Sequence, residues 1–216
     1  MLIFLHGRGE RARTNEPDEI DRVLKHGPPK LVAAGADLCF GRDCFLMLAP
    51  QSPPGREWRA SSIVPIVDAM LDRALALGGD PGRVYLTGLS MGGHGTWSYA
   101  AAAGERLAAI VPIAGRSAGG SAGCAIARAG VAVWAFHGAE DEIVPPLGSI
   151  AGVRDVNSCT DPRPKERALL TLYRGVGHDS WTRTYDPSSR FDPETGRPSA
   201  HGINVYEWLL RHRRTD

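Results

Sequence analysis

The stretch Arg83-Val84-Tyr85-Leu86-Thr87-Gly88-Leu89-Ser90-Met91-Gly92-Gly93 decides how this chain folds. A short apolar run, 83–87, enters it. Gly-x-Ser-x-Gly, residues 88–92, turns it, and a small-residue helix over 91–103 leaves it. In a strand–turn–helix context such a turn is sharp and strained, so the residues around the serine must be small. Gly88, Gly92 and Gly93 meet that need, and the strain lifts the Ser90 hydroxyl clear of the sheet beside a helix N-terminus. A bare Gly-x-Ser-x-Gly is common, and an ordinary glycine-rich turn is the plain alternative. What lies on either side decides between them.

Outward from this turn, short apolar runs alternate with helix-like stretches. The runs are 2–5, 45–49 (ended by Pro50), 83–87, 107–113, 131–136 and 168–173. All are continuous rather than alternating, as expected for parallel strands covered on both faces. Over 61–77, Ile63, Ile66, Val67, Met70, Leu71, Ala74 and Leu75 follow helical spacing, with Ser61-Ser62 as the expected N-cap and Gly78-Gly79 as the stop. Further helices are expected over 121–129 and 203–213. Strand–helix alternation of this kind predicts an α/β fold with a parallel sheet and right-handed crossovers. Two stretches break the rhythm: 7–29, polar and charged before a weak helix, and 179–202, rich in Pro, Ser, Arg and Asp. Loops of that length in a compact domain are usually functional.

Composition bounds the rest. At 216 residues, with 43% hydrophobic residues, the chain is expected to form one domain over 1–216 with a packed core. Lys and Arg total 25 against 24 Asp and Glu, which excludes the basic field of a dedicated nucleic-acid binder. No apolar run approaches a membrane span. The opening residues lack a basic region and hold only a short apolar run, so no secretory leader is expected and the default location is cytoplasmic. Cys39 and Cys44 are close enough in sequence for a disulfide, but free thiols are the expectation, with Cys124 and Cys159 standing alone. No paired Cys/His spacing suits zinc, so neither a metal nor another cofactor is expected.

A serine hydroxyl is a weak nucleophile; it needs a base, and the base needs orienting. After the 131–136 run comes His137-Gly138-Ala139-Glu140-Asp141-Glu142, which offers a carboxylate just past a strand. After the 168–173 run comes Gly175-Val176-Gly177-His178-Asp179, which offers a histidine in the equivalent place. Serine, acid and histidine thus stand at the carboxyl ends of three strands, in the order this chemistry uses on such a sheet. The first run ends in His6-Gly7-Arg8-Gly9-Glu10. The backbone N–H groups of Arg8 and Met91 are the expected oxyanion donors.

These residues resemble an α/β-hydrolase of the esterase type, in particular the dienelactone-hydrolase and phospholipase/carboxylesterase-like group and its predicted-peptidase or family-one carbohydrate-esterase-like branch. The likeness is carried by Leu5-His6-Gly7-Arg8-Gly9-Glu10-Arg11, Lys25-His26-Gly27-Pro28-Pro29, Ala49-Pro50-Gln51, Asp80-Pro81-Gly82-Arg83-Val84-Tyr85, Thr87-Gly88-Leu89-Ser90-Met91-Gly92-Gly93, Trp134-Ala135-Phe136-His137-Gly138-Ala139-Glu140-Asp141 and Gly177-His178-Asp179-Ser180-Trp181. It implies Ser90 as nucleophile, Asp141 as acid and His178 as base. It also implies a three-layer sandwich without a separate cap domain. The full pattern has two strands before the oxyanion strand, whereas only about six strands are readable here. The expected sheet order, numbering the runs along the chain, is second, first, third, fourth, fifth, sixth. That leaves 45–49 as an apolar edge, which a homodimer is one way to cover.

Trp58 and Trp181 are the expected aromatic walls for an acyl or sugar group, with loop anchoring as the bland alternative. His6 is placed with them on the substrate side, although shaping the oxyanion turn is the stronger reading. Glu10 is expected to pair with a nearby Arg. His94 and His137 are expected to be structural or pocket-lining, Asp179 to cap a turn, and His26 to carry no chemical signal. The expected activity is cleavage of carboxylic esters, of small-molecule or carbohydrate-borne acyl groups, through an acyl-enzyme. A peptidase or amidase of the same mechanism and a silent hydrolase-fold binding protein are the alternatives. With no room for a cap, access is expected to be governed by 7–29 and 179–202 around a fairly open site.

Overall fold

Every residue of Leu2–Leu5 is buried. Ile3 and Leu5 face one apolar cluster and Leu2 and Phe4 the other, because successive side chains of a strand point to opposite faces. The computed structural model describes residues 1–14 and 17–214. Its strands are β1 (Leu2–Leu5), β2 (Cys39–Phe40), β3 (Asp43–Cys44), β4 (Met47–Leu48), β5 (Tyr85–Leu89), β6 (Ala109–Ile113), β7 (Ala132–Gly138) and β8 (Leu169–Tyr173). Its α-helices are α1 (Gly27–Ala33), α2 (Ala60–Ala76), α3 (Met91–Ala103), α4 (Ala122–Arg128), α5 (Leu147–Asn157), α6 (Trp181–Tyr185) and α7 (Val205–Leu210). Six strands form one sheet in the order β4-β1-β5-β6-β7-β8, and every pairing in it is parallel. This is the order the apolar runs predict.

Helices cover both faces, which is why the strands read as continuous apolar runs. On one face α2 presents Ile63, Val67, Leu71 and Ala74, and α5 presents Val153 and Val156. On the other, Trp181 and Tyr185 of α6 and Val205, Tyr206, Trp208 and Leu209 of α7 pack on Trp134, Phe136 and Tyr173. The end of α2 follows the expected stop. Gly78, at φ 87°, donates to Leu75 O and Gly79 donates to Ala74 O (3.0 and 2.9 Å), which satisfies carbonyls the helix leaves open.

The structure corrects several boundaries. The α2 N-cap is Arg59 rather than Ser61-Ser62; Ser62 lies inside the first turn, where its hydroxyl accepts from the Arg59 N–H (3.3 Å) and donates to Glu57 O (2.8 Å). The central strands begin one or two residues later than the apolar runs, and β7 extends to Gly138. The expected edge strand 45–49 shrinks to the two residues of β4. Phe45 turns inward instead, against Phe40, Tyr85 and Tyr206. A two-residue edge closed by Pro50 offers little for another chain to pair with. The weak helix expected after 29 begins earlier, at Gly27, as α1, and helices α5 and α6 were not read from the sequence.

The cysteines depart furthest from expectation. Cys39–Cys44 is a disulfide across the β2–β3 hairpin. Cys124 and Cys159, expected to stand alone, also pair, tying α4 to the segment after α5. Among the described residues none is free.

Candidate active site

Ser90 joins β5 to α3 with φ 52° and ψ −114°, a left-handed conformation that costs a non-glycine residue energy and persists only where surroundings over-determine it. They do so here. The Ser90 N–H donates to Ile113 O (2.9 Å) and its carbonyl accepts from the His94 N–H (3.0 Å). A Cβ on Gly92 would lie 1.9 Å from Leu5 O, so only glycine lets α3 start this close to β1.

The loops after β7 and β8 are stitched to each other. Ala139 donates to Tyr173 O, Glu140 donates to Val176 O, and the Glu140 carboxylate accepts from the Gly175 N–H (2.9, 3.0 and 3.0 Å). This places His178 Nε2 2.9 Å from Ser90 Oγ and His178 Nδ1 2.7 Å from Asp141 Oδ2. Asp141 is 4% exposed, and its other oxygen accepts from the Ile143 and Val144 N–H groups (both 2.9 Å). Burial works to raise its pKa, but the hydrogen bonds from His178, Val144 and Ile143 and the charge of His178 outweigh it, so the carboxyl sits below its ordinary value. Buried His137 adds a contact from Nε2 to Asp141 Oδ2 (3.1 Å) and to Val144 O (2.8 Å), with Nδ1 2.8 Å from the Ser149 hydroxyl. Burial holds its pKa below the ordinary histidine value.

Ser90 and His178 open into a surface cleft of about 750 Å³. Arg8 and Met91, both on its wall, are the first residues of a 3₁₀ turn (Arg8–Glu10) and of α3. Backbone N–H groups at such positions have no partner within their own turn, and neither meets an acceptor among the described residues. No group of His, Cys, Asp and Glu able to hold a metal ion occurs among the described residues.

No protein-family model matches this chain, and no curated protein matches it. Solved structures do. A thermostable esterase is similar with a TM-score of 0.69 and 26% identity, over 99% of this chain and 54% of that one; the chain thus spans about half of that protein's length. SOBER1 from Arabidopsis thaliana is similar with a TM-score of 0.58 and 16% identity, over 97% of both chains. Esterase PE8 is similar with a TM-score of 0.57 and 23% identity, over 82% of this chain and 83% of that one. With the strand order and the elbow, these decide the architecture. The chain has the α/β-hydrolase fold.

On this α/β-hydrolase scaffold the residues expected to act together are brought together: Ser90, His178, Asp141, Arg8, Met91, Trp58 and Trp181 all meet at the cleft or directly behind it. Trp181 stands edge-on to His178 (ring centroids 5.1 Å, 90°) and near His26 (5.7 Å), and its buried indole N–H has no partner among the described residues. Trp58 donates from Nε1 to His6 O (3.0 Å), so it both lines the cleft and anchors its loop.

His6 does not reach the cleft. It is 1% exposed, accepts from the Ser52 N–H at Nε2 (2.9 Å) and lies at Nδ1 2.6 Å from Gly7 O. Its place is under the turn that follows β1, so the substrate-side assignment is corrected. Glu10 faces His26 (3.8 Å) rather than an arginine, while Arg22 braces the turn by donating to Gly9 O (2.6 Å). Asp179 caps α6, accepting from the Thr182 N–H and hydroxyl (3.0 and 2.9 Å). Segment 179–202 was expected to govern access, but beyond Trp181 it covers the far sheet face. Phe191, 1% exposed, packs on Trp134, Phe136 and Tyr173.

His26, Glu57, Arg59 and Arg116 also line the cleft and were missed. Arg116 had one usable signal: it lies just past a strand's carboxyl end, where α/β sheets bind ligands.

Proposed function

We propose that this chain is a serine hydrolase that cleaves carboxylic esters. The observation that carries this reading is the unbroken hydrogen-bonded line from Ser90 Oγ through His178 to a buried Asp141. In the first half-reaction Ser90 Oγ bonds to the ester carbonyl carbon as its proton passes to His178 Nε2. Negative charge moves onto the carbonyl oxygen, and in this reading the Arg8 and Met91 N–H groups receive it. Each such donor is typically worth about 3 kcal/mol in the transition state. Asp141, held ionised by its hydrogen bonds, stabilises the imidazolium through Nδ1. The carbon–oxygen bond to the alcohol then breaks and His178 returns the proton to the leaving oxygen. Water repeats the sequence on the acyl-enzyme, freeing the acid and restoring Ser90.

Small or carbohydrate-borne acyl groups suit the cleft. Ser90 and His178 both reach solvent, and the indoles of Trp58 and Trp181 supply flat apolar walls for an acyl chain or a sugar ring. The compartment follows the cysteines. Two paired disulfides fit oxidising surroundings better than the cytoplasm, and no helix among the described residues is long and apolar enough to cross a membrane.

A panel of 4-nitrophenyl esters graded by acyl length, run beside peptide anilides, tests the proposal. Turnover of the esters, lost by about 10⁴-fold or more in Ser90→Ala, is the expected outcome. Anilide cleavage that exceeds ester cleavage would make the chain an amidase, and a folded protein inert to every substrate would remove the hydrolase reading.

A further inference from the structure

Most of the charged side chains on the cleft wall face one another in two groups. Arg8 and Arg59 both reach Glu57 (2.8 and 3.3 Å), and Glu10 faces His26 (3.8 Å). Arg116 is different: its guanidinium is exposed on the cleft wall and has no hydrogen bond or ion pair among the described residues.

Exposed as it is, Arg116 is not free to wander. It follows β6 through Ala114 and Gly115. Ala114 has φ 48°, and Ser90 and Ala114 are the non-glycine residues with positive φ among those described. The Ala114 N–H donates to Phe136 O (2.9 Å), and the Gly115 carbonyl lies 2.7 Å from the Ser149 hydroxyl. The aliphatic stem of Arg116 lies against Gly148, where a Cβ would come within 2.4 Å of Arg116 Cγ. Backbone strain of this kind persists only where the surroundings over-determine it, and here it fixes the path of the chain into Arg116.

Arg116 shares the cleft with the nucleophile's own turn. His94, one helical turn after Ser90, meets Ser90 O through Nδ1 (2.7 Å) and shares the cleft wall with Arg116. Burial foremost, and then the positive charge of Arg116, hold the His94 pKa below its ordinary value. Since β1 and β6 flank β5 in the sheet, Arg116 and Glu10 stand on opposite sides of Ser90. The charges on the Glu10 side, Arg8, Arg59 and Glu57 with Glu10 and His26, face one another, whereas Arg116 stands on the other side without such a partner.

We propose that Arg116 is a specificity-determining residue that selects esters carrying a carboxylate, which it binds through its guanidinium fork while Ser90 attacks the ester carbonyl. This rests on the ester-hydrolase reading above. A guanidinium presents planar paired donors that match a carboxylate, and that of Arg116 has no carboxylate of its own chain to hold. The carboxylate belongs to the acyl half or to the alcohol half of the substrate.

Two pairs of esters distinguish these halves. 4-Nitrophenyl hydrogen glutarate against 4-nitrophenyl hexanoate probes the acyl half, and 4-acetoxybenzoate against 4-acetoxybenzamide probes the alcohol half. Within each pair the ratio of kcat/KM, anionic over neutral, is the readout, so losses in folded fraction cancel. One pair is expected to favour the anion. That ratio should fall about ten- to hundred-fold in Arg116→Ala, the range of a charge-assisted hydrogen bond. It should fall less in Arg116→Lys, which keeps the charge without the fork, drop below the alanine value in Arg116→Glu, and shrink at high salt. Ratios in both pairs that Arg116→Ala and Arg116→Glu leave within twofold of wild type would overturn the proposal while leaving the hydrolase intact. Absence of turnover on all four esters would overturn both.

Discussion

His6 accepts from the Ser52 N–H at Nε2, which leaves Nδ1 to donate to the Gly7 carbonyl, so the neutral ring is held in a single tautomer. Burial, the largest influence, pushes its pKa down from 6.5 to about 4. A histidine depressed in the folded state binds its proton more readily when unfolded, so stability is full above about pH 6.5 and falls as the pH drops toward 4. At about 1.4 kcal/mol per unit, the loss reaches about 3 kcal/mol across that window. Urea melts between pH 7 and pH 4 check this. His6→Gln should be somewhat less stable at pH 7 and distinctly flatter below it, whereas an unchanged pH slope would contradict the assignment. Single residues were legible in the sequence only where chemistry demanded both a type and a place. Ser90 and His178 satisfied both demands, whereas among the adjacent carboxylates Glu140, Asp141 and Glu142 it was the resemblance that singled out Asp141. Loop residues such as His26 and Arg116 satisfy no periodicity, and the burial of His6 depends on Trp58 and Ser52, which are distant in sequence.

At the scale of elements, the central strands and α2 and α3 were readable because burial on both sheet faces leaves continuous apolar runs, and because the α2 stripe repeats every turn. Helix α5 was not. Its buried face is built partly from Ser149 and Gly152, small residues that give no apolar stripe. Helix α1 opens with Pro28 and Pro29 in its first turn, where proline fits a helix start but also resembles a loop. The Cys124–Cys159 bond was invisible because its partners are 35 residues apart and meet only once α4 and α5 pack together. Closing a loop of that length removes chain entropy worth about 3–4 kcal/mol. The double variant Cys124→Ala/Cys159→Ala should lose that much in a denaturant melt, and the unfolded, unreduced wild type should titrate no free thiols. Four reactive thiols in the unfolded protein would contradict the pairing.

For the whole molecule, the sheet order followed from strand succession and the resemblance, because a right-handed parallel sheet has few ways to be threaded. The cleft walls did not follow, since they are assembled from loops after β1, β4, β6, β7 and β8 that no local pattern relates. The far-face role of segment 179–202 was hidden likewise: its anchor, Phe191, is a single aromatic in a polar run. What the assembled molecule does with these loops is to hold one serine, strained and hydrogen-bonded, at the floor of an open cleft. Its reactivity tests the account most directly. Incubation of the folded protein with a fluorophosphonate, followed by peptide mapping, should find one adduct, on Ser90, with no labelling in Ser90→Ala and labelling slowed by orders of magnitude in His178→Ala. A folded wild-type protein that takes no label, or takes it at another residue, would contradict the account.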